Sequence, residues 1–358
     1  MAAIREDERS YKHILVDAAG GPQQFQPRNP RQVKYLRSSV ANAKKMGNDS
    51  LVTLHEIAYM VPNFVWSIST FPDLTVIFGL DCLLTELASC DKILLSYDTT
   101  FLLGDFYLSV LVGKFSMFNE CPCMPLAFLL HDRKFEIAHA DFFTRLPARF
   151  PAKNDVVIVT DGELAMSKAI TKALPQWHLA TCSNHILTDV ELWLKKRSAS
   201  HLEISVYKCQ LQELLHCDSE HQLAMKINTL KPTWTDAFLT YFDSHLKCRL
   251  DLAYTGYLKS VGLPDDSITT NMSESLNAVI KRFQDWEEAP IDSIVMAMYK
   301  LQLFYVTEMK RSRQGFGPYT LLNQQLVSPG SNFFFINAMS ITTLYHLVGV
   351  FCFVYSNT

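Results

Sequence analysis

No charge of one sign predominates in this chain. It has 33 lysines and arginines against 36 aspartates and glutamates, a net charge of -3 over 358 residues and a pI near 6.4. That balance excludes a globally basic nucleic-acid binder, so any surface for DNA has to be a local patch. A cysteine framework is lacking too. The nine cysteines are odd in number and irregular in spacing. Together with the charged opening MAAIREDERSYKH, they speak against a secreted, disulfide-stapled protein and for reduced thiols inside a cell. Cys121 and Cys123 flank Pro122, but no second Cys/His pair at finger spacing accompanies them. Zinc is therefore not supported, and the thiols read as core or incidental residues. The final absence is of charge altogether: after Arg313 no Asp, Glu, Lys or Arg occurs through Thr358. Residues 333–355 are long and apolar enough to consider a bilayer span, yet Asn337, Ser340, Thr342, Thr343 and His346 interrupt the run. A non-native tail left by truncation or altered splicing, or an amphipathic strand and helix, is preferred over a tail anchor, and a membrane is not expected as a partner.

What is present is apolar surface in short runs. A 48% hydrophobic composition can bury one large core or two smaller ones. Residues 1–50 are polar and mildly basic and read as a lead-in. Residues 51–90 read as an N-terminal α/β extension, with LVTLHEIAYMV fitting an amphipathic helix and FVWSIST a strand. Three strand-like runs follow, KILLSYDTT, FYLSVLVGKF and PLAFLLHD, joined by short pieces that imply antiparallel neighbours, with PLAFLLHD at or near the sheet edge. Next come a helix over EIAHADFFTRL, the strand VVIVT, a helix over ELAMSKAITKAL and a short strand WHLATC. This βββαβαβ order is a mixed-sheet α/β signature with a crevice at the strand ends. After Cys182 the periodicity is helical for about eighty residues. The segments from Glu274 to Phe283 and from 291 to 311 are two more helices.

Three carboxylates stand at the junctions of these pieces. Asp98 ends KILLSY, Asp161 ends VVIVT, and Glu274 opens a helix-like segment. Carboxylates gathered from distant segments are how a site for a hard divalent ion is built, and a pair of such ions can assist phosphodiester chemistry. Each residue also has a plain structural reading. Asp98 before two threonines fits a turn, Asp161 before Gly162 and Glu163 fits a helix cap, and Glu274 fits a first-turn carboxylate on the helix dipole.

The phrases SYDTTF, IVTDGELAMSKAI with TCSNH some twenty residues on, and TTNMSESLNAVIKRF resemble the Mutator-like class of cut-and-paste transposases. Within that class the chain is similar to the transposase-derived proteins labelled calcium-responsive transcription factor-like. The resemblance spans roughly residues 30–325 and implies an RNase H-like mixed sheet with an all-helical insertion between the second Asp and the Glu. The domain reading is then 91–200 for the first part of the core, 201–262 for the insertion, 263–325 for the C-terminal core helices and 326–358 for the uncharged apolar tail. The resemblance implies Asp98, Asp161 and Glu274 as a catalytic, metal-binding triad using Mg²⁺ or Mn²⁺ in a two-metal site. It also implies metal-dependent DNA strand cleavage and strand transfer, DNA as partner, a nuclear location and a homo-oligomer. Cys182 and His185 match the class's Cys-x-x-His element, with Ser183 where relatives often carry Trp. These two, with Asn277, Lys281 and Arg282, are read as DNA-contact or structural residues. The basic clusters Lys195–Arg197 and Lys310–Arg313 could touch phosphates. The flanking zinc-type modules of full-length members are not visible. The alternative is therefore a domesticated, catalytically silent DNA- or chromatin-binding protein associated with transcription, since a fold alone does not decide function.

Overall fold

Val156–Thr160 (β6, VVIVT) is apolar or β-branched at every position and buried at every position, as a strand covered on both faces must be. It is the centre of a parallel trio. Ile93–Thr100 (β3) pairs with it from Ile93 opposite Val156 to Ser96 opposite Val159. His178–Thr181 (β7) pairs with it from Val157 opposite His178 to Thr160 opposite Thr181. The computed structural model describes residues 49–90, 92–100, 106–133, 136–150, 156–263, 271–283 and 290–322. Most of the polar lead-in and the uncharged tail expected from the sequence lie outside the described residues.

On the other flank of β3 the connections are short and the strands alternate in direction. Tyr107–Lys114 (β4) is antiparallel to β3, and Cys123–His131 (β5) is antiparallel to β4. Pro125 lies where the β4–β5 register slips between Leu111 and Val112, a bulge being one of the few places where a sheet accepts a residue without an N–H. The resulting order β5-β4-β3-β6-β7, antiparallel on one side of β3 and parallel on the other, is the RNase H-like arrangement, and the α/β class is the expected one.

One expectation is corrected. PLAFLLHD is not at the edge, because Val65–Ser69 (β1) and Thr75–Phe78 (β2) form an antiparallel pair that continues the sheet past β5. The sheet has seven strands in the order β1-β2-β5-β4-β3-β6-β7. The physical sign was in the sequence: β5 does not alternate, and it is buried from Met124 to His131, as an interior strand is.

Helices close both faces, and the period-2 alternation of β3 divides its side chains between them. Tyr97 goes to the face covered by the helix Glu136–Arg145, where its ring stacks on Phe142 at 5.4 Å and its hydroxyl meets His139 Nδ1 at 2.9 Å. Thr99, on the same face, joins a buried chain of Thr99 Oγ1, Ser109 Oγ and His131 Nε2 at 2.7 and 2.9 Å. Ser96 and Asp98 go to the other face, under the helix Asn271–Phe283, where the Ser96 and Ser273 hydroxyls meet. The long helix Ile291–Arg313 lies on this face too and is pinned by Gln302. That buried amide accepts from Leu80 N at 3.0 Å and donates to the Pro125 and Leu126 carbonyls at 3.0 and 2.9 Å.

After β7 the described chain is helical from Ser183 to Ser260, apart from short turns and a π-helical turn at Phe242–Leu246. These helices bury a separate cluster that includes Val190, Leu211, Leu214, Trp234, Phe238, Phe242 and Leu250. The helix His201–Leu215 opens on a capping box in which Ser200 and Glu203 satisfy each other's backbone N–H. Beyond Arg313 the chain stays attached: Leu321 bridges Phe118, and Leu322 N donates to Met117 O at 3.0 Å. Among the described residues no helix is long and apolar enough to cross a membrane.

Candidate metal centre

The β3–β6 register decides where the two aspartates go. Ser96 stands opposite Val159; two residues on, Asp98 is still within β3 and Asp161 is the first residue past β6. Neighbouring strands of a sheet run about 4.8 Å apart, which brings the two segments close enough for the carboxylates to influence each other. The pKa of Asp98 carries the consequence. Burial, chiefly, and the negative charge of Asp161 push it up to about 6, against the pull of His185 and of the hydrogen bonds from Thr99 N and the Asn277 side chain.

Each carboxylate is held. Asp98 Oδ1 accepts from Thr99 N at 2.8 Å and Asp98 Oδ2 from Asn277 Nδ2 at 2.9 Å. Asp161 Oδ1 accepts from Glu163 N at 2.8 Å. This Asx-type turn replaces the expected helix cap, because the helix Leu164–Ala173 starts later, after Glu163. Gly162 between them has φ of +83°, a conformation that glycine supplies without steric cost.

The helix Ser183–Lys195 begins next to the end of β7 and brings in Cys182 and His185. Cys182 is fully buried and hydrogen-bonds His185. That bond, chiefly, with the charges of Asp161 and Asp98 adding to it, pushes the imidazole up to about 9 in spite of its burial. His185 is thus a cation at neutral pH that faces both aspartates. Its Nε2 also lies 4.0 Å from Glu274 Oε1, whose side chain is 53% exposed. Asn277 follows Glu274 by one turn of helix, on the same side.

A hard divalent cation asks for oxygen donors. Asp98 and Asp161 supply carboxylates, and Asn277 Oδ1 is buried with no hydrogen-bond partner, so the donor chemistry fits such an ion. Among the described residues, no group of three or more His, Cys, Asp and Glu side chains stands arranged to hold a metal ion. Asp98 and Asp161 are together; Glu274 stands at the rim, against His185. The side chains of Lys281 and Arg282 lie outside what is described. The other basic clusters are partly engaged within the protein. Arg197 stacks on Trp193 at 3.7 Å, Lys195 pairs with Glu191, Arg311 with Glu308 and Arg313 with Glu86.

Two features of the site had no sequence signal. The Ser96–Ser273 pair ties the helix carrying Glu274 to β3. Arg249, in the plain segment KCRLDL, donates through Nη2 to the Asp161 carbonyl at 2.7 Å and through Nη1 to Asp189 Oδ2 at 2.8 Å. Only spatial proximity, across 88 positions of sequence for the first bond, brings it there.

No protein-family model matches the chain, and no curated protein matches it. Among solved structures the chain is similar to the Drosophila P element transposase strand transfer complex, at 11% identity over 91% of this chain and 90% of that one, with a TM-score of 0.26. A likeness that low carries no argument about chemistry, which rests on the residues themselves.

Proposed function

We propose that this chain is a transposase-derived RNase H-like domain that cleaves and joins DNA strands with Mg²⁺ or Mn²⁺, using Asp98, Asp161 and Glu274. The observation that supports this reading is the electrostatic coupling of Asp98, near the end of β3, to Asp161, just past the end of β6, which helps to raise the Asp98 pKa to about 6. Two buried or half-buried carboxylates so coupled repel each other unless a cation or a proton joins them. The motif resemblance to Mutator-like transposases points the same way.

When bound, divalent metal would supply a polarised, deprotonated oxygen nucleophile and charge stabilisation for the leaving oxygen. The chain's own residues have distinct parts. Asp98 and Asp161 would hold the ion. Asn277 and the Thr99 N–H fix the Asp98 carboxylate, and the Glu163 N–H fixes that of Asp161. Glu274, exposed at the rim against His185, would be the third ligand, and the His185 imidazolium offsets negative charge beside it. DNA is the partner, and a nuclear location and a homo-oligomeric assembly belong to the same reading.

The test is incubation of the purified chain with labelled DNA ends in Mg²⁺ or Mn²⁺. Cleavage or end joining that vanishes in Asp98→Asn and Asp161→Asn supports it. DNA binding without metal-dependent chemistry would favour the second reading, a catalytically silent DNA- or chromatin-binding protein. That reading draws on one observation, the position of Glu274 against His185 rather than in a three-ligand group.

A further inference from the structure

Arg249 belongs to the helical insertion, on the short helix Lys247–Leu250, yet its side chain ends at the second aspartate. The side chain is 15% exposed, and its guanidinium sits between two acceptors, the Asp161 carbonyl through Nη2 at 2.7 Å and Asp189 Oδ2 through Nη1 at 2.8 Å. Asp189 comes from the helix Ser183–Lys195, one turn on from His185. The approach is close enough to depend on Gly162: a Cβ there would fall 2.4 Å from Arg249 Nε and 2.9 Å from Thr181 Cγ2. Three residues further along, Leu252 O accepts from Thr181 N at 3.0 Å, so the same stretch of the insertion also extends the end of β7.

We propose that Arg249 is a positioning residue for Asp161: its guanidinium, braced by Asp189, fixes the Asp161–Gly162 turn and thereby couples the seating of the helical insertion to the place of the second carboxylate. The inference deepens the metal-site reading and rests on it for its consequence, but the clamp itself is a matter of backbone order. A planar fork suits this task, because two of its N–H groups can meet two acceptors at once, which a lysine ammonium on a flexible stem does less well. Gly162 is then required for two reasons, its left-handed φ and the room it leaves for the guanidinium. Groups that orient a ligand without touching the metal commonly change affinity by about 10- to 100-fold when removed.

The experiment uses the full chain with Arg249→Ala, Arg249→Lys, Asp189→Asn and Asp161→Asn. Two quantities are read: Mn²⁺ affinity by titration calorimetry, and amide hydrogen exchange over residues 160–167. Arg249→Ala is expected to speed exchange at Gly162–Leu164 and to weaken Mn²⁺ binding about tenfold or more, with Arg249→Lys recovering part of both. Asp189→Asn keeps the fold-bearing side chains and removes only the brace. It should move both readouts the same way, less strongly, and it carries the test if Arg249→Ala does not fold. Exchange and Mn²⁺ affinity at wild-type values in the folded variants overturn the proposal. Absence of an Asp161-dependent Mn²⁺ site in the wild type overturns the metal reading instead, while faster exchange in Arg249→Ala upholds the clamp.

Discussion

Asn277 Nδ2 donates to Asp98 Oδ2 at 2.9 Å, across an interval of 179 residues, and this bond joins the helix Asn271–Phe283 to β3 at the point where the chemistry is proposed. The bond stabilises the charged form of Asp98 against the burial that raises its pKa. Asn277→Ala should therefore move the Asp98 pKa above its present value of about 6, measured by carboxyl-carbon NMR. Loss of one hydrogen bond to a charged acceptor should cost roughly 1.5–3 kcal/mol in urea unfolding at pH 7. An unchanged Asp98 titration would remove Asn277 from the site.

The His185 pKa is also raised, but here the shift favours the charged form. Its folded pKa, about 9, lies above the ordinary 6.5, owing first to the Cys182 hydrogen bond and then to the aspartates. The stabilisation it contributes is fully present below pH 6.5 and is lost as the pH rises through about 9. His185→Asn should flatten the stability profile across that window and raise the Asp98 pKa, since a facing cation is removed. Cys182→Ala should bring the His185 titration back toward 6.5, as followed by imidazole proton NMR. A His185 that titrates near 6.5 in the wild type contradicts the contact with Cys182.

The legible parts of this protein were those whose signal is local. Ile, Leu and Val runs ending on Asp98 and Asp161 announce buried strands, and the crevice at their ends follows from parallel pairing. The helical interval after Cys182 shows a 3.6-residue period because it buries its own core around Trp234 and Phe238. What escaped depends on pairing at a distance. Thr75–Phe78 is four residues long, too short for a period to declare itself, so the sequence alone leaves β5 looking like an edge strand. Nothing in KCRLDL marks Arg249, because its role exists only once Gly162 is beside it. The tight Ser96–Ser273 contact is illegible for the same reason: two serines carry no pattern until a helix is laid across a strand.

Gln302 tests how the second face of the sheet is held. It is fully buried and its amide satisfies the Leu80 N–H and the carbonyls of Pro125 and Leu126, beside the β4–β5 bulge. Gln302→Leu fills most of the volume but leaves three polar groups without partners, each at about 1–3 kcal/mol. A loss of at least 3 kcal/mol in chemical denaturation is expected at this one position. The half-buried neighbour Leu303→Gln, only partly packed against the core, should cost far less. Equal losses for the two would mean that the buried amide is not what fixes the long helix.

Asp98 gives the metal reading a thermodynamic signature that needs no DNA. Its folded pKa of about 6 lies above the ordinary 3.8 because of burial, first, and of Asp161. The folded state therefore prefers the protonated acid. The preference contributes fully below pH 3.8 and is lost as the pH rises through about 6, an amount on the order of 3 kcal/mol. Asp98→Asn, neutral at every pH, should remove that decline and be the more stable protein at pH 7. Mn²⁺ should largely cancel that advantage: at pH 7 an ion bound between Asp98 and Asp161 stabilises the wild type by about 2.7 kcal/mol at a hundredfold excess over Kd, and the variant much less. Thermal unfolding at pH 4, 5.5 and 7, with and without MnCl₂, separates the cases. A wild type that gains nothing from Mn²⁺ at pH 7, or a variant that gains as much, would leave the two aspartates as a strained structural pair rather than a metal site.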